Sequence, residues 1–214
     1  MKILFTAFDP FGGESINPAN EAVKLLPDVI AGAEVVKVEI PTVFRKGAAK
    51  MKEAVELYKP DYVICVGQAG GRATITPEFV AINYQDARIP DNEKHQPVGE
   101  TIFEDGENAY FTRLPVKAIV ETLKKNGIPA SVSYTAGTYV CNDVMYYLLY
   151  YIQKEWPNIV GGFIHVPYVT EQAVNLPATT PSMTSSMISD ALRIAAEVTI
   201  LQKEDIKTVG GETH

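Results

Sequence analysis

The sequence contains few cysteines and few histidines, and it has no long apolar run. Two cysteines in 214 residues exclude a framework stabilised by several disulfides. No apolar stretch approaches the length of a membrane span, so no membrane partner is expected. The histidines are scattered and metal-binding spacings such as Cys-x-x-Cys are absent, so we predict no metal site. The formal charge of −7 argues against a nucleic-acid partner, which usually needs a basic face.

The N-terminal segment is apolar but short. Residues 1–8 are followed by Asp9-Pro10 and Gly12-Gly13, and they lack the length and the cleavage site of a signal peptide. We therefore predict that this segment is the first strand of a buried sheet and that the protein is cytoplasmic.

Strand-like runs alternate with helical patterns along the chain. The apolar runs predict strands, and the patterns between them predict helices, with a last helix opening at Thr180-Pro181. The predicted strands are residues 3–8, 35–40, 62–66, 79–84, 130–134 and 162–166, and the other predicted helices are residues 18–26, 43–58, 115–126 and 142–155. This alternation indicates an α/β fold with helices on both faces of one sheet.

Two segments interrupt the alternation. Residues 85–108 are polar and rich in Asp, Glu, Asn and Gly, which indicates a functional loop or an excursion that contacts a neighbour. Residues 202–214 are polar and contain glycine, so we expect a frayed C-terminal tail. The remaining residues, 1–201, are expected to form a single catalytic domain.

The two cysteines lie in different surroundings. Cys141 follows a Gly-Thr turn at the start of a predicted helix, where the helix N-terminus favours the thiolate and a protonated histidine would favour it further. This position suits a nucleophile, and a structural cysteine fits it equally well. Cys65 lies inside the apolar run 62–66 and is predicted to be a small buried core residue.

Elimination among the three histidines favours one general base. His214 is the last residue and His95 lies in the polar loop, where a solvated side chain is the usual outcome. His165 lies in the apolar run 163–167, where a lone histidine is usually a hydrogen-bonded core residue. With a cysteine at a helix start elsewhere in the chain, a general base becomes the better interpretation of His165.

A thiol–imidazole pair usually needs a third group that orients the ring. Glu78 directly precedes the predicted strand 79–84, and Asp86 and Asp143 are its competitors. Position in the sequence does not choose among these three carboxylates.

Two glycine-containing turns follow predicted strands. Residues 67–72 have the flexibility to cradle a phosphate, but no Lys-Ser/Thr follows them and Gly-x-Gly-x-x-Gly spacing is absent, so a P-loop is excluded. Close approach of the backbone to a substrate explains these glycines equally well. Residues 9–13 are flanked by Phe8 and Phe11, whose rings either pack under the loop or hold a small flat ring.

In this order, these blocks resemble the pyroglutamyl-peptidase I family of cysteine peptidases over residues 1–201. The resemblance rests on six blocks of sequence, which are residues 8–13 with Asn17-Pro18, 67–72, 78–83, 86–92, 136–142 and 163–167. It implies a single-domain three-layer αβα sandwich with a mostly parallel mixed central sheet. It also implies a homotetramer that needs no cofactor and hydrolytically removes an N-terminal pyroglutamyl residue from small peptide substrates through a thioester intermediate.

The resemblance also implies roles for individual residues. Cys141 is implied as the nucleophile, His165 as general base and acid, and Glu78 as the carboxylate that orients the imidazole. The oxyanion site would fall on Arg88 and the backbone N–H of Cys141. The pocket for the pyroglutamyl ring would draw on several loops, through Phe8, Phe11, Asn17, Thr42, Gln68, Ile89, Tyr139 and Val140.

The chain departs from the family pattern at four positions. It has Phe79, Tyr139, Asp143 and Tyr168 where the family commonly has arginine, phenylalanine, histidine and phenylalanine. None of these changes removes a member of the implied triad, and the changes of charge bear on substrate preference beyond the ring. Two rival classes are a phosphate-dependent transferase that uses residues 67–72 and a non-catalytic protein that binds a small ligand.

Overall fold

The computed structural model describes residues 1–202 and 204–211. The elements follow one another in this order: β1 (Lys2–Phe8), α1 (Pro18–Lys24), β2 (Val29–Ile30), β3 (Ala33–Ile40), α2 (Lys46–Tyr58), β4 (Tyr62–Gln68), β5 (Thr76–Pro77), β6 (Val80–Ile82), β7 (Ala109–Phe111), α3 (Val116–Lys125), α4 (Val140–Lys154), β8 (Val160–Val166), β9 (Tyr168–Val169), α5 (Thr170–Ala173), β10 (Ser182–Met183) and α6 (Ser185–Leu201). No helix in these residues is long and apolar enough to cross a membrane.

The central sheet is mixed and mostly parallel. Its strands lie in the order β2-β3-β1-β4-β8-β5. The four inner strands, β3, β1, β4 and β8, are parallel, whereas β2 and β5 pair antiparallel at the two edges. The carboxyl ends of the four parallel strands therefore meet at one edge of the sheet, where ligands of open α/β sheets bind.

Helices cover both faces of the sheet because the central strands β1, β4 and β8 are buried on both sides. On β1, Ile3 and Phe5 point into a core shared with α1, α3 and α6. The alternate residues Leu4 and Phe8 point into a second core shared with α2 and α4. The three-layer αβα sandwich implied by the family resemblance is therefore confirmed.

Two predicted helix starts are wrong by a few residues, and local backbone features explain both. The second helix begins at Lys46 rather than at residue 43, because Arg45 has a φ of +63°, which is incompatible with a right-handed helix. The last helix begins at Ser185, where the Thr184 side chain accepts a hydrogen bond from the Met187 N–H and caps the first turn. The predicted opening at Thr180-Pro181 precedes a short strand instead.

Two predicted strands do not belong to the central sheet. Only Val80–Ile82 of the predicted strand 79–84 is a strand, and it pairs with β7 in a separate two-stranded sheet. The predicted strand 130–134 makes isolated bridges, at Ala130 with Ile75 and at Ser133 with Glu78. The place beside β8 is taken by β5, which follows the glycine-rich turn and returns antiparallel along that strand.

The C-terminal tail differs from the expected frayed segment over the residues that the structure describes. The two carboxylate oxygens of Asp205 accept hydrogen bonds from the N–H groups of Lys117 and Ala118, in the first turn of α3. Pro115, the N-cap residue of α3, supplies no side-chain hydrogen bond, so Asp205 takes the place of a local cap. Tyr134 donates a further hydrogen bond to the Gly210 carbonyl. His214 lies outside the described residues.

Candidate active site

The candidate site lies at the carboxyl edge of the sheet, on the face covered by α2 and α4. Strands β1, β4 and β8 end there at Phe8, Gln68 and Val166, and the first turn of α4 lies over them. The segments that leave these strands form the walls of the site. This location explains why the site residues are spread over most of the chain.

Cys141 is the second residue of α4 and is half-buried. Below it lies Gly67 of β4, where an added Cβ atom would lie only 3.0 Å from the Cys141 sulfur. Gly67 is opposite His165 in the parallel register of β4 and β8. The thiol therefore lies over a position of the sheet that has no side chain, beside the strand that carries His165.

His165 and Glu78 form a buried hydrogen-bonded pair. The imidazole Nδ1 lies 2.7 Å from the Glu78 carboxylate oxygen Oε1, and the two side chains are 5% and 0% exposed. Because an ionised carboxylate only accepts hydrogen bonds, Nδ1 carries the proton and Nε2 is the free nitrogen of a neutral ring. The Phe163 ring, with its centroid 4.8 Å from that of the imidazole, packs beside it.

The structure brings Glu78, rather than either competing aspartate, to His165. Glu78 follows β5, and its own N–H donates to the Phe163 carbonyl on β8. Asp86 is exposed on the surface. The buried Asp143 carboxylate instead accepts hydrogen bonds from the Arg45 N–H at 2.7 Å and from Gln85 Nε2 at 2.6 Å.

The electrostatics of the site favour a neutral thiol and a neutral imidazole at rest. Burial, together with the nearby Glu78 charge, raises the pKa of the Cys141 thiol to about 12. Burial also lowers the pKa of His165, against the opposing effect of Glu78. Although burial works to raise the pKa of Glu78, the hydrogen bond from His165 and the charge of Arg72 hold it below its usual value, so this carboxyl is ionised. Burial therefore acts against the thiolate that the helix N-terminus is predicted to favour.

Aromatic side chains from three loops gather around the start of α4. The Phe11 and Tyr139 rings have centroids 6.4 Å apart, and Phe44 meets Tyr139 edge-on at 5.2 Å. Phe8 is buried and packs against Phe163 with centroids 6.3 Å apart. The Tyr139 hydroxyl donates to the Pro90 carbonyl and so ties loop 85–108 to the helix start. Phe44 was not predicted, because nothing in its local sequence links it to the site.

Two of the predicted polar pocket residues hold the loop that follows β1. Asn17 Nδ2 donates to the Asp9 carbonyl, and its Oδ1 accepts from the Ala19 N–H as the cap of α1. The Thr42 hydroxyl also donates to the Asp9 carbonyl, and the Thr42 N–H donates to the Asp9 carboxylate. Both residues are buried, so their side chains fix the shape of this wall of the site.

The other predicted site residues differ in how closely they are held. Val140 is fully buried at the helix start, whereas Ile89 is 41% exposed. Gln68 Oε1 accepts a hydrogen bond from Gln172 Nε2 at 3.2 Å. Arg88 is exposed and makes no hydrogen bond or ion pair with the residues that the structure describes. Across those residues, no group of three or more His, Cys, Asp or Glu side chains could hold a metal ion.

Arg72 is a charged side chain at the site for which the sequence predicts no role. Its guanidinium Nη1 lies 2.7 Å from Glu78 Oε1, on the carboxylate that also binds His165. The residue ends the glycine-rich turn 67–72, whose sequence predicts a phosphate cradle or a close approach of the backbone to a substrate. Its contact with Glu78 depends on the return of the chain along β8, which a local pattern does not reveal.

The chain is similar to known proteins over almost its whole length. A sequence model of the family described as pyroglutamyl peptidase matches residues 1–202. Pyrrolidone-carboxylate peptidase from Clostridium perfringens is 59% identical over 99% of both chains, and that from Enterococcus faecalis is 55% identical over the whole of both.

The chain belongs to the pyroglutamyl peptidase family. Solved structures support the assignment, since pyroglutamyl peptidase I from Bacillus amyloliquefaciens superposes with a TM-score of 0.93 at 53% identity, covering 96% of this chain and 99% of that one. Pyrrolidone carboxyl peptidase from Thermococcus litoralis superposes with a TM-score of 0.92 at 41% identity, covering 97% and 99%. The family identified from the sequence blocks is therefore confirmed.

Proposed function

We propose that this chain is a cysteine peptidase that hydrolytically removes an N-terminal pyroglutamyl residue from peptides through a thioester on Cys141. Membership of the pyroglutamyl peptidase family over residues 1–202 supports the activity and the substrate class. The observation that carries the catalytic assignment is the buried Glu78–His165 hydrogen bond on the strand beside the Cys141 helix start.

In the proposed acylation step, His165 acts as general base. Because the thiol and the imidazole are both neutral at rest, the proton moves from sulfur to Nε2 as the sulfur attacks the carbonyl that follows the ring. Glu78 stabilises the imidazolium that forms, through the hydrogen bond to Nδ1. The imidazolium then gives its proton to the leaving amine, the scissile C–N bond breaks, and a thioester remains.

The developing oxyanion needs donors aimed at it. The Cys141 N–H lies in the first turn of α4, where N–H groups have no partner within the helix, and it can supply one hydrogen bond. The family resemblance implies Arg88 as the second donor. The Arg88 side chain is exposed and makes no hydrogen bond or ion pair with the described residues. In this proposal it turns toward the site when substrate binds. Loss of one oxyanion donor typically costs about a hundredfold or more in kcat.

Deacylation in this proposal uses the same base. His165 takes a proton from water, the oxygen attacks the thioester carbonyl, and the C–S bond breaks to release pyroglutamate. The proton returns to the Cys141 sulfur, so both groups end in their neutral resting forms. Each step is acid–base or nucleophilic chemistry that these side chains supply, and no cofactor is required.

The proposed ring pocket suits an uncharged lactam. Pyroglutamate has no free α-amine, so the pocket needs apolar faces and a few polar groups rather than a carboxylate. Phe8, Phe11 and Tyr139 supply aromatic faces near the helix start. The remaining pocket residues would fix loop shape or offer backbone hydrogen bonds, and these are Asn17, Thr42, Gln68, Ile89 and Val140.

We also propose a cytoplasmic homotetramer. Both cysteines are free, which suits a thiol enzyme in a reducing compartment. Loop 85–108 is the proposed subunit contact, because it is a long excursion of a kind that often contacts a neighbour. Light scattering in solution should give a mass of four chains, and a monomer at all concentrations would contradict the assembly.

Release of aminomethylcoumarin from pyroglutamyl-aminomethylcoumarin in reducing buffer tests the activity. The wild type should turn over, and Cys141→Ala should lose at least about a thousandfold in kcat. Cys65→Ala is the matched control, because it removes the other sulfur of the chain, which is fully buried in the core. This variant should keep wild-type activity. Equal turnover by the Cys141 variant would refute the nucleophile. No turnover by any folded variant would favour the phosphate-dependent transferase or the ligand-binding protein.

A further inference from the structure

The guanidinium of Arg72 contacts the carboxylate that orients His165. Arg72 Nη1 lies 2.7 Å from Glu78 Oε1, and His165 Nδ1 lies 2.7 Å from the same oxygen. The imidazole and the guanidinium therefore share one acceptor atom. A change in the position of Arg72 would change the position of the oxygen that holds the imidazole.

The guanidinium is itself held by two further contacts. Nη1 donates to the Thr76 hydroxyl at 2.7 Å, and Nη2 donates to the Thr135 carbonyl at 3.2 Å. A guanidinium is planar and its donors point in fixed directions, so three partners on two nitrogens define its orientation. A lysine at this position would keep the charge and lose this geometry.

Burial makes a cation at this place necessary. The Glu78 side chain is 0% exposed, whereas that of Arg72 is 31% exposed and remains in contact with water. A buried carboxylate is costly unless an opposite charge and hydrogen bonds compensate it. A neutral imidazole supplies a hydrogen bond but no charge, so the compensating charge comes from Arg72.

We propose that Arg72 is a positioning residue, which fixes the Glu78 carboxylate against His165 and balances its charge so that the imidazole stays neutral and ready to accept a proton. This inference rests on the proposed function, in which His165 is the general base. Arg72 does not touch the substrate in this scheme, because its guanidinium is occupied by Glu78, Thr76 and Thr135.

The proposal predicts separate effects of geometry and charge. Arg72→Met frees the carboxylate to move, so kcat should fall on the order of a hundredfold while KM stays within about twofold. It also removes a positive charge that disfavours the imidazolium, so the pKa of His165 should rise. The acid limb of kcat/KM should then move to higher pH by about one unit. Arg72→Lys should restore the acid limb and recover only part of kcat.

Arg193→Met is the matched control. Arg193 lies on α6 and pairs with Asp190 and Glu197, so its substitution removes the same charge and the same side chain at a distance from the site. It should change neither kcat nor the acid limb. Wild-type kinetics in Arg72→Met would overturn the proposal. A lower kcat in step with a lower Tm, with no shift of the acid limb, would show a merely structural residue and would also overturn it.

A titration that needs no turnover separates this proposal from the proposed function. The chain has three histidines, so long-range ¹H–¹⁵N NMR can follow each imidazole in wild type and in Arg72→Met. The His165 signal should titrate at higher pH in the variant than in the wild type. If the wild type lacked peptidase activity and the His165 shift still appeared, the proposed function would fail and the positioning role would stand. An unshifted His165 would refute the role of Arg72.

Discussion

The thiol is accommodated over the sheet because residue 67 has no side chain, and Gly67→Ala tests this directly. A Cβ atom at this position would lie 2.7 Å from Cζ of Phe163 and 3.0 Å from the sulfur of Cys141. Both distances are shorter than ordinary van der Waals contact, so the ring, the thiol or both must move. The Phe163 ring also packs against His165, so its displacement would reach the general base as well.

The size of the effect follows from how tightly these groups are packed. Phe163 is fully buried, and forcing an extra methyl group into such a core costs about 1–3 kcal/mol. For a chain of this size, a cost of about 2 kcal/mol would lower Tm by about 4–8 °C. A displacement of the reacting groups by about 1 Å can cost up to about a hundredfold, so we expect kcat to fall by roughly tenfold or more.

Gly161→Ala separates loss of stability from loss of chemistry. Gly161 is also a buried strand glycine, and an added Cβ would lie 3.0 Å from the Val63 carbonyl oxygen and 3.1 Å from Ile152, away from the thiol. Both variants should lower Tm in a thermal melt, and only Gly67→Ala should lower kcat for pyroglutamyl-aminomethylcoumarin. If the two variants lost stability equally and both kept wild-type kcat, the position of the thiol would not depend on the absence of a side chain at residue 67.

Two further predictions concern stability. Burial raises the pKa of Asp143 from 3.8 to about 6, so the folded state holds a proton that the unfolded chain releases. The contribution of Asp143 to the free energy of unfolding therefore falls as the pH rises from about 4 to 6, and it does not change further above pH 6. Asp143→Asn should flatten the pH dependence of Tm in this window. Asp205→Ala should remove the hydrogen bonds to the first turn of α3 and cost about 1 kcal/mol, or about 2–4 °C in Tm. The kcat of this variant should be unchanged. An unchanged Tm would show that the Asp205 hydrogen bonds to α3 contribute nothing to stability.

The inner strands were predictable because burial on both faces leaves a local signature. Residues 3–8, 62–66 and 162–166 are mostly apolar runs, and they correspond to β1, β4 and β8. Residues 79–84 and 130–134 also have strand-like sequences, yet neither is a strand of the central sheet. What decides their place is the pairing of β5 with β8, a contact between residues about 90 positions apart, which no local pattern contains.

Candidate site residues of types that are rare in this chain could be predicted from the sequence, whereas those of common types could not. With two cysteines and three histidines in the chain, surroundings were enough to separate Cys141 and His165, as candidates, from the other cysteine and histidines. Carboxylates are numerous, and the sequence alone left three candidates for the group that orients His165. Among them, only the family resemblance indicated Glu78. The antiparallel register places Thr76 opposite His165, so the residue two positions later in the chain lies within reach of the imidazole. Arg72 was missed for the same reason, because its partner is defined by this register.

The departure from the family pattern at Asp143 helps to hold a loop. Asp143 lies two residues after Cys141, yet burial, Glu78 and Arg72 are the main influences on the pKa of Cys141, and Asp143 is not among them. Its carboxylate instead holds the Arg45 N–H at the start of α2 and the Gln85 amide at the start of loop 85–108. The same loop is tied to the helix start by the hydroxyl of Tyr139, a second departure from the family pattern. Because both departures fix this loop, they should alter which peptides fit beyond the ring.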